Sequence, residues 1–203
     1  IALFTFRNLR DSGRKLRRRL QIFLSADEEV GSRTAHPHME QLLSPDSTAF
    51  VLEPPLEDGS LKTSRKGVGM YTVEVRGAEA HAGLEPERGV SAIAEMARKV
   101  LEVLSWADPR RGITLNVGEI RGGIATNVVP GLATAGLDVR FQVMADGEEI
   151  HRRLQALRPD DPRAQISVEG GIIFPPLVPD ARSIRLAETA ISVARDLGLS
   201  IST

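Results

Sequence analysis

Six segments between residues 67 and 171 switch between the period of a strand and the period of a helix, and their order leaves few folds open. "GVGMYTVEVRG" (67–77) alternates apolar and polar residues, as a half-buried strand does. "ERGVSAIAEMARKVLEVLSWA" (87–107) repeats with helical spacing and sets Val90, Ile93, Ala94, Ala97, Val100, Leu101 and Leu104 on one face, a core or dimer surface. "ITLNVGEIRG" (113–122) and "LATAGLDVRFQV" (132–143) alternate again, "GEEIHRRLQALRP" (147–159) is helical, and "AQISVEGG" (164–171) is a last strand.

The order β-α-β-β-α-β is that of the split βαβ, ferredoxin-like unit, four strands with two helices on one face. The flanks read differently. Residues 1–12 predict a short helix ending near Gly13, 20–26 a buried-type strand, 33–44 a helix and 47–54 a second strand stopped by Pro54 and Pro55. "FPPLVPD" (174–180) is a proline-rich linker, and 181–198 a final helix. The expected architecture is part of an α/β domain, residues 1–65 and 174–203, with an α+β ferredoxin-like lid or dimerisation domain, residues 66–173, inserted into it. The chain opens on Ile1 within an apolar segment and closes on "LGLSIST", a helix end leading into another strand. That pattern is expected of a piece of a longer protein.

Composition removes several function classes. The net charge of -1 gives no field favouring nucleic acid or acidic membranes, and 4% aromatics are too few for base-stacking platforms. "RKLRRR" (14–19) therefore reads as a solvated connection rather than a nucleic-acid patch. No apolar run approaches the roughly 20 residues that span a bilayer. The absence of cysteine excludes disulfides and thiolate metal sites and fits a reducing, cytoplasmic setting.

The chemistry concentrates where apolar runs stop. "LQIFLSA" (20–26) ends in Asp27, Glu28 and Glu29, and "STAFVLEP" (47–54) ends in Glu53. Ser25 with Glu28 three residues on fits a capping box, the bland explanation. The sharper one is that in open α/β sheets sites form beyond the carboxyl ends of strands, where two acids can converge on a cation. Adjacent residues tend to point different ways, so of Glu28 and Glu29 one could ligate while the other takes a proton from an attacking water. "HPH" (36–38) looks ligand-like but sits on an expected helix and reads as surface.

With "SADEEVGS" (25–32), Glu53 in "EP", "SRKGVGMYTVEVRGAEAHAG" (64–83) and "GGIATNVVP" (122–130), the chain resembles the M20 family of zinc-dependent metallopeptidases and amidohydrolases, close to its glutamate carboxypeptidase group. The resemblance covers residues from about 14 to 180. It implies a two-zinc α/β catalytic domain, with cobalt as a possible substitute, and a ferredoxin-like lid that often also forms a homodimer. Carried over, Glu28 is the general base, Glu29 and Glu53 are metal ligands, His81 reaches a substrate carbonyl, in many members from the partner subunit, and Asn127 and Arg140 bind the substrate's carboxylate. The substrate implied is a peptide or N-acyl amino acid. The family's HxD, bridging Asp and late His ligands have no counterpart among His36, His38, His81 and His151. The 203 residues alone are therefore expected to be inactive and to bind metal weakly; the alternative function is a non-catalytic dimerisation module. Glutamate-specific members carry a basic residue around "EGGIIF", where this chain has Gly170 and Gly171.

Overall fold

The computed structural model describes residues 1–30, 32, 34–44 and 46–203, which fall into two units, Ile1–Glu53 and Pro54–Thr203. The first holds α1 (Ala2–Asp11), a single helical turn at Glu28–Val30, and α2 (Ala35–Leu42). Arg33, where the expected helix 33–44 begins, lies outside the described residues.

The strands expected at 20–26 and 47–54 do not form: both segments lack strand pairing, and Leu20, Ile22, Phe23, Leu24, Phe50, Val51 and Leu52 are exposed. The reason is that a strand is a pairing. An apolar run can supply side chains for a sheet, but its backbone N–H and C=O groups need a neighbour before they leave water.

The second unit contains β1 (Gly67–Arg76), β2 (Ala80–His81), α3 (Ala92–Leu104), β3 (Thr114–Gly122), β4 (Val128–Val129), β5 (Leu132–Phe141), α4 (Met144–Gln155), β6 (Gln165–Phe174) and α5 (Ala181–Asp196). Four strands form an antiparallel sheet in the order β3-β5-β1-β6. The period-two pattern read from the sequence drives this. Tyr71, Val73 and Val75 of β1 and Ala133, Ala135, Leu137, Val139 and Phe141 of β5 share one face and bury against Met96 and Val103 of α3 and Ile150 and Leu154 of α4. Each of the larger aliphatic and Phe side chains among them contributes about 1.5–3 kcal/mol on leaving water. The opposite face carries Thr72, Glu74, Asp138 and Arg140 and lies open.

Helix α3 is shorter than its apolar pattern and buries a different face. It begins after Ser91, whose hydroxyl accepts the Ala94 N–H at 3.2 Å. Ala92, Glu95, Met96, Lys99 and Val103 face the sheet. The expected stripe is divided: Val90 is buried and Val100 packs on the core, whereas Ile93 is 42% and Leu101 71% exposed, and Leu104 is exposed too. The burial of Glu95 and Lys99 depends on partners from distant sequence, which helical spacing does not carry.

The β2–β4 ribbon is a separate two-stranded piece, with Ala80 opposite Val129 and His81 opposite Val128. Gly77 lets the chain turn into it, since a Cβ there would lie 2.0 Å from the Val90 carbonyl oxygen. Helix α5 is closed by a capping box: Asp180 accepts the Arg182 and Ser183 N–H groups, and its own N–H donates to Ser183 Oγ. Among the described residues no helix is long and apolar enough to cross a membrane.

Candidate functional site

Of the three consecutive acids, Asp27 has a structural role. Its carboxylate accepts the Thr34 N–H at 2.7 Å, the Thr34 hydroxyl at 2.6 Å and the Ala35 N–H at 3.3 Å, closing the N-terminus of α2. The Thr34 hydroxyl, its backbone N–H and the Ser25 hydroxyl pull the Asp27 pKa down to about 2 against partial desolvation. Helix capping was thus legible in this stretch, but Asp27 performs it, acting on a helix seven residues on, rather than a Ser25–Glu28 box.

Glu28 and Glu29 follow on the single helical turn, both exposed, and Glu53 is exposed at the end of the same unit. Among the described residues no group of three or more His, Asp or Glu side chains could hold a metal ion. A catalytic zinc takes three protein ligands and a water. The donors described here, two exposed carboxylates, do not fit that requirement.

The second unit brings two distant motifs together. "AHAG" forms β2 and the turn after it, and "ATNVVP" forms the turn and strand β4. His81 pairs with Val128, and the Ala82 N–H donates to the Asn127 carbonyl at 2.9 Å. Residues 46 positions apart in sequence are thereby neighbours in space. Asn127 itself is exposed. Beside the ribbon opens a depression of about 150 Å³ floored by Gly122, Gly123 and Gly131 and flanked by Glu79, Arg121 and Ile124.

Arg140 is not brought to this pair. Register sets it opposite Val68 at one end of β1, whereas Leu132, next to the ribbon, lies opposite Arg76 at the other. Leu132 and Arg140 are eight positions apart on β5, about 26 Å at strand rise. Arg140 grips Asp138 two positions earlier, Nε to Oδ1 at 2.7 Å and Nη2 to Oδ2 at 2.8 Å. The hydrogen bonds to Asp138 hold its guanidinium above its ordinary pKa against burial. One edge of the fork is thus filled by a carboxylate from the protein, and Nη1 carries no protein partner among the described residues. Asp138 went unnoticed in the sequence, although an acid two residues before an arginine on a strand shares its face.

Gly170 and Gly171 differ sharply. Gly170 has φ of +107°, and a Cβ there would lie 2.1 Å from the Met70 carbonyl oxygen. Gly171 has open space around it. Gly171→Lys is expected to fold with stability within about 0.5 kcal/mol of the parent, whereas Gly170→Lys loses at least about 2 kcal/mol. Urea denaturation followed by the fluorescence of Trp106, the only tryptophan, measures both. Equal losses would refute the distinction.

Comparison with known proteins fits this geometry. Residues 63–163 match the family model described as a peptidase dimerisation domain of the M20 group. Carboxypeptidase G2 of Pseudomonas sp. (strain RS-16) is 25% identical over 156 residues, 76% of this chain and 38% of that protein. Acetylornithine deacetylase of Myxococcus xanthus is 32% identical over 173 residues, 78% of this chain and 44% of that protein. Among solved structures, a tripeptidase from Staphylococcus aureus superposes with a TM-score of 0.65 at 22% identity, covering 86% of this chain and 47% of that one, a likeness of fold. The chain spans less than half the length of each. With its sheet, its two packed helices and its matched dimerisation domain, the chain belongs to the M20 family of peptidases and amidohydrolases.

Proposed function

We propose that this chain carries the lid and adjoining catalytic-domain segments of a hydrolase that cleaves an amide or peptide bond beside a free carboxylate, in a dipeptide, a C-terminal peptide or an N-acyl amino acid. Residues 66–173 are the ferredoxin-like lid, and 1–65 with 174–203 belong to the catalytic domain. The sheet order, second-third-first-fourth strand with both helices on one face, supports the lid topology. Glu28 takes the proton of the attacking water, His81 donates to the substrate carbonyl, and Asn127 and Arg140 hold the carboxylate from the two protomers of a dimer, since within one chain Arg140 lies at the far end of β5 from the ribbon. Zinc, or cobalt in its place, is the cofactor of the full-length enzyme, with Glu29 and Glu53 among its ligands and further donors beyond them.

The observation that carries this reading is the meeting of His81 and Asn127 on one ribbon, because it gives two separate motifs a common purpose. A homodimer through the lid is supported by the matched dimerisation domain, by the exposed apolar side chains Ile93, Leu101 and Leu104 of α3, and by Ile120, 56% exposed on the edge strand β3. An unpaired edge strand beside exposed apolar side chains suits a second copy related by a twofold axis.

The test has two parts. Purified full-length protein with added zinc or cobalt should hydrolyse at least some N-acyl amino acids or dipeptides, and the 203-residue chain should sediment as a dimer that Ile120→Lys converts to monomer. Dimerisation of the full-length protein without any hydrolysis across such a panel would favour the alternative, a dimerisation module with no catalysis of its own. That alternative draws on the lack of a metal-holding cluster among the described residues.

A further inference from the structure

His81 is held by its own backbone in an uncommon way. Its Nδ1 lies 3.1 Å from the Gly83 nitrogen and 3.2 Å from the Leu84 nitrogen, and both are backbone N–H donors. The turn is closed further by the Glu85 N–H, which donates to the His81 carbonyl at 3.1 Å, and by the Ala82 N–H, which donates to Asn127. No carboxylate orients the ring: both hydrogen bonds described for its side chain come from backbone N–H groups. The ring itself is exposed.

We infer that the turn Ala82–Leu84 locks His81 as the neutral Nε2–H tautomer, so that the backbone N–H groups of Gly83 and Leu84 are positioning groups and His81 works as a hydrogen-bond donor, never as a base. A neutral imidazole has one donor and one acceptor nitrogen. Two N–H groups converging on Nδ1 require its lone pair; a proton on Nδ1 would face both of them. The proton therefore sits on Nε2, which points away from the turn. A fixed outward N–H suits an oxyanion forming on a substrate carbonyl, and it costs no reorientation when that charge appears. With its lone pair committed to the turn, His81 cannot take a proton from water without breaking the turn, and base work is left to a carboxylate.

This deepens the reading of His81 as a substrate-facing residue and rests on it, but the tautomer can be read independently of any activity. The experiment is a long-range ¹H–¹⁵N correlation spectrum of the ¹⁵N-histidine-labelled 203-residue chain above neutral pH. His81 should show a protonated Nε2 and a bare Nδ1 as a single tautomer, while exposed His38 reports the averaged mixture of a free imidazole. Leu84→Pro, which removes one donor, should move His81 toward that mixture, and Leu84→Ala should leave it unchanged. A wild-type spectrum with Nδ1 protonated, or with His81 averaged like His38, overturns the proposal, and it decides even if Leu84→Pro fails to fold. In the full-length enzyme, His81→Gln keeps an N–H donor and should retain at least about tenfold more kcat than His81→Phe. Equal losses would overturn the donor role while the spectrum still reported the tautomer.

Discussion

Glu28→Gln and His81→Ala are each expected to lower kcat of the full-length protein by about 10²-fold or more, and mixing the two inactive variants is expected to restore about a quarter of the parental activity. The first variant removes a base and the second a donor, each on its own element. Restoration follows from the ribbon. His81 sits on the lid at the end of β2, and its neighbour Asn127 sits one step along the opposite strand from Val128. The ribbon is part of the segment proposed to form the dimer, so it can be carried to the partner's site. If His81 serves the partner's site, a heterodimer of the two variants has one site with neither group and one with both. Random mixing makes about half the dimers mixed, and one site in two of those works. Unfolding and refolding the variants together, then measuring turnover, is sufficient. No recovery, with mixed dimers shown to be present, would mean that His81 serves its own protomer.

The four-stranded sheet was legible in the sequence because its strands are half-buried. Each writes its own period, and β3 and β5 run as expected to within two residues. Strand β6 extends past the expected end at Gly171 to Phe174, and within the expected range it contains Gly170, whose positive φ the pattern did not show. The segments at 20–26 and 47–54 carry the apolar residues of strands but not the pairing, and pairing is not local information. Helix α3 shows a different limit. It has two apolar faces, and hydrophobic spacing cannot say which one meets the sheet. The face that does includes a carboxylate and an ammonium, which no period-based reading would bury. The β2–β4 ribbon is too short to have a period, so its residues were found through motif rather than pattern. The same motif reading passed over Asp27 as a cap and Asp138 as the partner of Arg140, because both depend on a neighbour's geometry rather than on residue type.

Glu95→Ala is expected to be among the damaging single changes in the second unit, at about 2–4 kcal/mol, from the acceptor and the buried volume it removes. Glu95 is 0% exposed, in a buried face shared with Ala92, Met96, Lys99 and Val103. Its Oε1 accepts the Asp160 backbone N–H at 2.5 Å, and its Oε2 accepts from Arg98 at 2.5 Å. Asp160 in turn accepts from Lys99 at 2.6 Å and pairs with Arg98 at 2.8 Å. The hydrogen bond from the Lys99 ammonium holds the Asp160 carboxyl below its ordinary range. One buried carboxylate thus ties α3 to the loop between α4 and β6, across 65 residues of sequence. Removing it leaves a part-buried backbone N–H without its acceptor, Arg98 with Asp160 as its one remaining acid, and a void where the side chain was. Glu95→Gln keeps an acceptor for the Asp160 N–H but gives up the charge beside Arg98, and should lose only about 1–2 kcal/mol. Trp106 reports both, since Arg153 of α4 stacks over its ring 4.1 Å from the centroid and ties it to the same packed layer. Denaturation curves in which the Ala variant matches the parent would mean that the network is a surface decoration; a Gln variant as damaged as Ala would mean that the charge, rather than the Asp160 hydrogen bond, holds the loop.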